Sequence, residues 1–246
     1  MHKHGRIKEI YEQGVNDIND VYNTLEGKSK TLVNAPRLDG GMTAVKWNGT
    51  EFIDTTIYDK GWYAYEDTSI LGAENSSKWA NARTLDNSMW VWIPRYAYKI
   101  TYTDPNDKSK GGIIDIVFLK EDTNKDFNGY DVTSESYIDE KGEKGAYIVH
   151  PAFQNGRSNE FANGEWDNEI TGFWMAKFEA GYEHSQNNII VFKENQVSIN
   201  NVNIGNAYDL VKELTNTDNS YGFSNNTDTH LTKNSEWEAV RIFNLQ

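Results

Sequence analysis

The chain has 246 residues, 13% of them aromatic, which is enough for one sizeable globular domain with an appendage. Its formal net charge is −13, and its 24 Lys and Arg side chains form no basic stripe, which argues against a nucleic-acid partner. The lack of cysteine excludes disulfides and thiolate chemistry, and no apolar run reaches the roughly 18 residues of a membrane span, which argues against membrane insertion by this chain.

The first predicted element is an amphipathic helix from Arg6 to Glu26, which Gly27 ends. Its apolar residues recur at steps of three and four: Ile7, Ile10, Val15, Ile18, Val21, Tyr22 and Leu25. We therefore assign residues 1–33 to an N-terminal helix or stalk, and residues 34–246 to one α+β domain. The helix either docks on its own domain, forms a stalk, or joins copies of the chain into a homo-oligomer as a short coiled coil.

A region of short strands is predicted next, which makes the fold α+β with a mainly antiparallel sheet. Asn48-Gly49 predicts a hairpin between Met42 and Phe52. Pro94 marks a bulge or an edge between two further strands. Strands are predicted at 89–93, 96–102, 113–119, 146–150 and 173–180, a polar surface loop at 120–145, and helices at 206–215 and 235–243.

The aromatic residues divide into two groups. One group lies in periodic elements, which favours core packing: Trp90, Trp92, Phe173, Trp174 and Trp237, the last expected to face inward from its helix. The other group lies in loop-like surroundings rich in Asn, Gly and Ser: Trp62, Tyr63, Tyr65, Trp79 and Trp166. These five rings either pack in the core or, if exposed, stack on a sugar or enter a protein partner, and they are the ligand-binding candidates.

Residues 124–135 resemble the calcium loop of an EF-hand. Oxygen ligands are expected at loop positions 1, 3, 5, 7 and 12 and glycine at position 6. The corresponding residues are Asn124, Asp126, Asn128, Tyr130 and Glu135, with Gly129 at position 6. Asp131 replaces the usual apolar residue at position 8, and the flanks do not read as paired helices. Calcium is the one cofactor the sequence suggests, and a solvated acidic loop is the alternative.

No pattern in the chain predicts a catalytic centre. His150, His184 and His230 lack the spacing of metal ligands, and His150 before Pro151 indicates a structural role. Phosphate-binding loops and nucleophile elbows are absent from the sequence. Paired carboxylates, such as Glu236 with Glu238 and Glu165 with Asp167, are expected as surface charge.

Three segments together resemble bacterial surface and phage-associated proteins related to the formylglycine-generating enzyme superfamily, whose domain is a variant of the C-type lectin fold. They are Met89 to Tyr96, Thr171 to Ala180, and Thr227 to Val240, the last with Leu231-Thr232-Lys233-Asn234-Ser235-Glu236-Trp237-Glu238. The resemblance implies a strand near Phe173, a helix near Asn206 to Leu214 and a second helix entered through Ser235. It covers about the last third of the chain and the stretch near Trp90.

The resemblance also carries expectations about function. The oxidase members act through cysteines, so this chain is expected to lack that activity. The family domain continues past its second helix, so either residues beyond Gln246 complete the fold, as we expect, or this chain completes it differently. The implied role is a non-catalytic recognition module at a cell surface or on a virion, presenting loops to a glycan or protein ligand. The alternatives are a structural subunit of a pilus-like or virion assembly and a carboxylate-dependent hydrolase.

Overall fold

A computed structural model describes residues 35–59, 61–63, 79–155, 166–183 and 189–243. In chain order the strands are β1 (Thr43–Trp47), β2 (Phe52–Asp54), β3 (Asn81–Arg83), β4 (Met89–Pro94), β5 (Tyr96–Tyr102), β6 (Gly112–Phe118), β7 (Ile148–Val149), β8 (Gly172–Ala176), β9 (Gly181–Glu183) and β10 (Ile189–Val191). The helices are α1 (Ile204–Lys212) and α2 (Asn234–Phe243). The expected α+β class with mainly antiparallel strands is confirmed, and the N-terminal helix predicted at Arg6–Glu26 lies outside the described residues.

The largest sheet has five antiparallel strands in the order β2-β1-β3-β4-β8. Its first two strands form the predicted hairpin, in which Trp47 lies opposite Phe52 across a turn containing Gly49 at φ 108°. Glycine adopts this left-handed conformation without the Cβ clash of other residues. The hairpin prediction is confirmed.

A three-stranded sheet in the order β6-β5-β7 follows directly from the first. Only Arg95 separates the end of β4 from the start of β5, so the chain passes from the first sheet to the second directly after Pro94. This is the position at which the proline predicted a bulge or an edge. Pro94 itself pairs with Gly172 at the end of β4. The chain segment from Leu119 to Tyr147 is irregular and turn-rich, but it buries Val132 and Tyr137 in a small core that it shares with Ala97 and Val149 of the three-stranded sheet.

Helix α1 and the two-stranded β9–β10 sheet cover one face of the five-stranded sheet. Trp90 is buried in this layer, 4.9 Å from the Phe192 ring and 5.5 Å from the Phe223 ring. Leu210, on α1, packs at the edge of the same cluster. These contacts confirm core packing for Trp90 and place α1 against the sheet.

Helix α2 packs beside the three-stranded sheet, where the Tyr96 hydroxyl donates to the Ala239 carbonyl at 2.8 Å. Ala239 and Ile242 are buried apolar side chains on this helix. The expectation that Trp237 faces inward is wrong, since 63% of that residue is exposed. The buried face of α2 also includes Ser235 and Glu236. The Glu236 carboxylate points toward the start of the helix, where it accepts a hydrogen bond from the Lys233 backbone N–H.

None of the helices in the described ranges is long and apolar enough to cross a bilayer.

Candidate functional site

A shallow, open cleft of about 450 Å³ lies beside α1, and most of its lining side chains are exposed to solvent. Its walls come from β9, from the segment that leads into α1, and from one face of α1. The lining residues are Tyr182, Asn200, Asn201, Val202, Asn206, Asp209, Leu210 and Glu213. Polar side chains are the majority, and Tyr182, Val202 and Leu210 supply a substantial apolar part of the lining.

Local structure explains why these residues converge. Asn203 caps α1 by accepting a hydrogen bond from the Asn206 backbone N–H at 2.9 Å, which fixes where the helix begins. Residues 206, 209, 210 and 213 are spaced three or four apart, so they share one helix face. Asn201 has a φ of 58°, a left-handed conformation that asparagine tolerates and that turns the chain into the cleft wall.

The chemistry of the cleft suits a neutral, hydroxyl-rich ligand. Asparagine amides donate and accept hydrogen bonds, while the carboxylates of Asp209 and Glu213 accept them. The lining includes no Lys, Arg or His, so an anionic group in the cleft would meet no positive partner there. Tyr182 offers both an aromatic surface and a hydroxyl group.

An exposed apolar pair lies on the other side of α1 from the cleft-lining residues. Ile204 and Tyr208 are 77% and 50% exposed and lie four residues apart on the same helix. Val202, in the cleft lining, is 36% exposed and is an apolar contact available to a ligand.

The five predicted ligand-binding rings occupy different environments. Trp62 and Tyr63 are only 1% and 4% exposed, because their rings contact each other in the main core and the Trp62 Nε1–H donates to the Asn81 carbonyl at 2.9 Å. The exposure that ligand stacking required is therefore lacking at these two positions. Trp79 is half-buried at the edge of the same core, and Tyr65 lies outside the described residues.

Trp166, the remaining candidate, is half-buried in a cluster at the start of α2. Its Nε1–H donates to the Ala152 carbonyl at 2.8 Å, while the Lys233 Nζ lies 4.3 Å from the Trp166 ring centroid. The His230 ring packs against it edge-on, with centroids 5.4 Å apart. This ring therefore tethers the segment before α2 to the loop after Ala152.

His230 lies between two carboxylates in that cluster. Its Nε2 is 2.9 Å from Glu236 Oε1, and its Nδ1 is 3.3 Å from Asp228 Oδ1. The hydrogen bond to Glu236 raises the pKa of His230 above 6.5, with burial opposing it. Glu236 is 3% exposed and also accepts from the Lys233 backbone N–H at 2.9 Å, so the surface role expected for it is wrong. It caps the helix and holds the histidine.

The predicted calcium loop folds as a tight turn. Asn124 Oδ1 lies 3.3 Å from the Arg95 Nη2 that donates to it, and the Asp126 carboxylate accepts from the Tyr130 N–H at 2.8 Å and the Tyr137 hydroxyl at 3.1 Å. The Tyr130 carbonyl, which would face the cation in an EF-hand, accepts from the Asp126 N–H at 2.9 Å. Asn128 and Glu135 are exposed. The predicted ligand groups of Asn124, Asp126 and Tyr130 therefore form hydrogen bonds within the protein.

Within the described ranges, no group of three or more His, Cys, Asp or Glu residues is placed to hold a metal ion. The structural role predicted for His150 is confirmed, since its Nδ1 accepts from the Ala152 N–H at 3.2 Å. Burial lowers the pKa of His150 to about 4, so the ring is neutral at pH 7.

Comparison with models of protein families, with curated proteins and with solved structures found no match to this chain. The geometry of its own residues is therefore the basis for any functional assignment.

The cleft residues were not among the candidates from the sequence. Asn200-Asn201-Val202-Asn203 reads as turn and capping chemistry, a signal for the start of α1 rather than for a binding site. The only indication was the concentration of side-chain amides immediately before an amphipathic helix.

Proposed function

We propose that this chain is a non-catalytic recognition module of a bacterial surface or phage-borne protein. Its ligand is a neutral glycan, or a protein segment rich in hydrogen-bonding groups, held in the cleft beside α1. The observation that supports the proposal is the lining of that cleft, in which the amides and carboxylates of residues 200–213 lie beside Tyr182 of β9 on a helix that packs against the sheet. Binding groups on rigid elements lose little conformational entropy when the ligand arrives.

The location and the family relationship rest on the resemblance of Met89 to Tyr96, Thr171 to Ala180 and Thr227 to Val240 to superfamily members with a C-type-lectin-like domain. The first two segments correspond to the neighbouring, paired strands β4 and β8, and the third leads into α2. We therefore propose a C-type-lectin-like fold for the described domain and an extracellular, cell-surface or virion location.

The test is a glycan array, followed by titration calorimetry on the best ligand, with the full 246-residue chain. The double variant Asn206→Ala and Asp209→Ala removes one amide and one carboxylate from the cleft. We expect it to weaken binding about tenfold or more, as the loss of one to two hydrogen bonds predicts. The matched control, Asn106→Ala with Glu140→Ala, makes the same kinds of change at exposed positions outside the cleft and is expected to bind normally.

Unchanged affinity in the cleft variant would remove the cleft from the proposal, and failure of the chain to bind any glycan or surface protein would overturn the recognition role. Cleavage of a glycan on the same array would instead favour the carboxylate-dependent hydrolase. Asp209 and Glu213 would then be the first residues to substitute, because both carboxylates line the cleft.

A further inference from the structure

Lys177 has neutral neighbours in the described structure. Its ammonium donates to Asn81 Oδ1 at 2.7 Å and lies 4.1 Å from the centroid of the Phe52 ring. An ammonium group has three donors, and among the described residues this one contacts no carboxylate. Lys46, in β1 of the same sheet, differs because its ammonium pairs with Asp59 at 2.5 Å.

The sheet register places a set of side chains on the same face as Lys177. Directly paired residues point to the same side of a sheet, and side chains alternate along each strand. Asn81 pairs with Val91 and Val91 with Met175, so Lys177, two residues beyond Met175, faces the side on which Asn81 lies. This side is opposite to Trp90, and therefore opposite to the layer that carries the cleft beside α1.

An aromatic pair lies on the same face. Trp47 pairs with Phe52 in the hairpin, and their ring centroids are 5.1 Å apart. Trp47 is 42% exposed, so one ring of the pair is available to a ligand. Arg83, on the same face, already forms an ion pair with Asp54 at 2.5 Å, which leaves Lys177 as the cation without an acidic partner among these residues.

The environment of Lys177 favours an incoming anion. Lys177 is an exposed residue, yet its ammonium end is partly withdrawn from water, and this desolvation lowers its pKa to about 8. A carboxylate beside the ammonium would restore the missing counter-charge and form a charge-assisted hydrogen bond. The nearby indole would cover the apolar face of a sugar ring.

We propose that Lys177, Asn81 and the Trp47–Phe52 ring pair form a second binding site, on the sheet face opposite the cleft, for a pyranose that carries a carboxylate, as uronic acids do. Lys177 pairs with the carboxylate, Asn81 orients the ammonium, and Trp47 stacks on the ring. The site differs from the cleft in both position and charge preference, so the two sites succeed or fail independently.

The experiment compares two ligands with the same sugar backbone: oligogalacturonate, whose carboxylates are charged, and the same oligomer with its carboxylates converted to neutral methyl esters. Titration calorimetry with the full chain is expected to show the acid binding about tenfold or more tightly than the ester. Lys177→Gln is expected to abolish this preference and Lys177→Arg, which keeps the charge, to retain it. Lys120→Gln makes the same change in net charge at an exposed position outside this site and is the matched control.

The proposal would be overturned by any one of three results: equal affinity for the acid and the ester, no binding of the acid, or a preference for the acid that persists in Lys177→Gln. A second measurement uses the unaltered chain, so it does not require any variant to fold. NMR titration of the Lys177 ammonium in the unaltered chain is expected to show its pKa rising from about 8 when oligogalacturonate is added, and an unchanged pKa would also overturn it. The cleft variant Asn206→Ala with Asp209→Ala is expected to bind oligogalacturonate normally.

Discussion

Arg95 shows how a single residue joins several segments at the junction of the two larger sheets. Arg95 is 1% exposed, and its Nη1 lies 2.7 Å from Glu169 Oε2. The Nη1 group also donates to the Phe153 carbonyl at 2.9 Å, and the Nε group donates to the Thr123 carbonyl at 3.1 Å. Arginine suits this position because its planar guanidinium presents several donors in fixed directions. Its role is to satisfy buried backbone groups at the point where the chain changes sheets.

Replacing Arg95 with Met should therefore lower the free energy of unfolding by about 3 kcal/mol, because carbonyl groups and one carboxylate lose their partner. Urea denaturation followed by tryptophan fluorescence measures the change. Arg83→Met is the control, since its ion pair with Asp54 is solvent-exposed and is expected to contribute less than about 1 kcal/mol. Similar losses in the two variants would contradict the role assigned to Arg95.

His230 predicts a pH dependence of stability. The folded protein raises its pKa above 6.5 through Glu236, so the folded state binds the proton more tightly than the unfolded state. The stabilisation is complete below the unfolded pKa and is lost as pH rises through the folded pKa. Asp228 and Lys233 are the other charged groups facing the ring, the former raising and the latter lowering its pKa.

We accordingly expect the unfolding free energy of the unaltered chain to exceed that of His230→Gln by about 1 kcal/mol near pH 5, with the difference shrinking toward about pH 9. Urea denaturation across this pH range provides the measurement. Glu236→Gln, which removes the carboxylate at 2.9 Å, should flatten the pH dependence. A difference that stays constant across the range would mean that His230 acts through packing alone.

At the scale of elements, two turns pack with no room for a side chain between them. A Cβ added to Gly41 would lie 2.5 Å from the Gly222 Cα and would also collide with the Tyr221 carbonyl. Gly222 has a φ of 79°, which further restricts that turn to glycine. The entrance to β1 and the segment after α1 are therefore joined backbone to backbone.

Gly41→Ala is expected to reduce the free energy of unfolding by about 2 kcal/mol, in the range for overpacking. Gly40→Ala is the matched control, because its Cβ would meet only the Gly222 carbonyl, at an ordinary 3.6 Å. Thermal unfolding by circular dichroism compares the two variants. An equal effect of both substitutions would argue for a general loss of chain flexibility instead of a local collision.

Local patterns predicted most of these elements because the information needed is contained within a few residues. The turn at Asn48-Gly49 depends on the left-handed conformation of Gly49. The change of sheet near Pro94 follows because proline has no N–H to donate to a neighbouring strand. Trp237 was placed on the wrong side of α2 because its bulk, read alone, favours burial. The neighbouring Glu236 was buried instead, through a hydrogen bond to His230 and to the helix start that periodicity does not register.

For the whole molecule, the five-stranded sheet separates two surfaces of different chemistry. The cleft beside α1 is lined by amides and carboxylates, whereas the opposite face holds Lys177 beside an aromatic pair. Both surfaces combine residues far apart in the chain: Tyr182 with Glu213 in one, and Phe52 with Lys177 in the other. No spacing rule relates such residues, since their proximity depends on strand order and register.

The amino-acid sequence by itself determined the fold class, the hairpin, the strands β4 to β8, the two helices and the absence of thiol chemistry, because these depend on composition and on short-range periodicity. The short strands β3, β9 and β10 were not predicted. Only the tertiary structure decided which aromatic rings are buried and which side chains meet. Trp90 and Trp237 both lie in periodic elements, yet one is 8% exposed and the other 63%. The difference arises from what packs against each ring, and burial is a property of the assembled layers rather than of the residue.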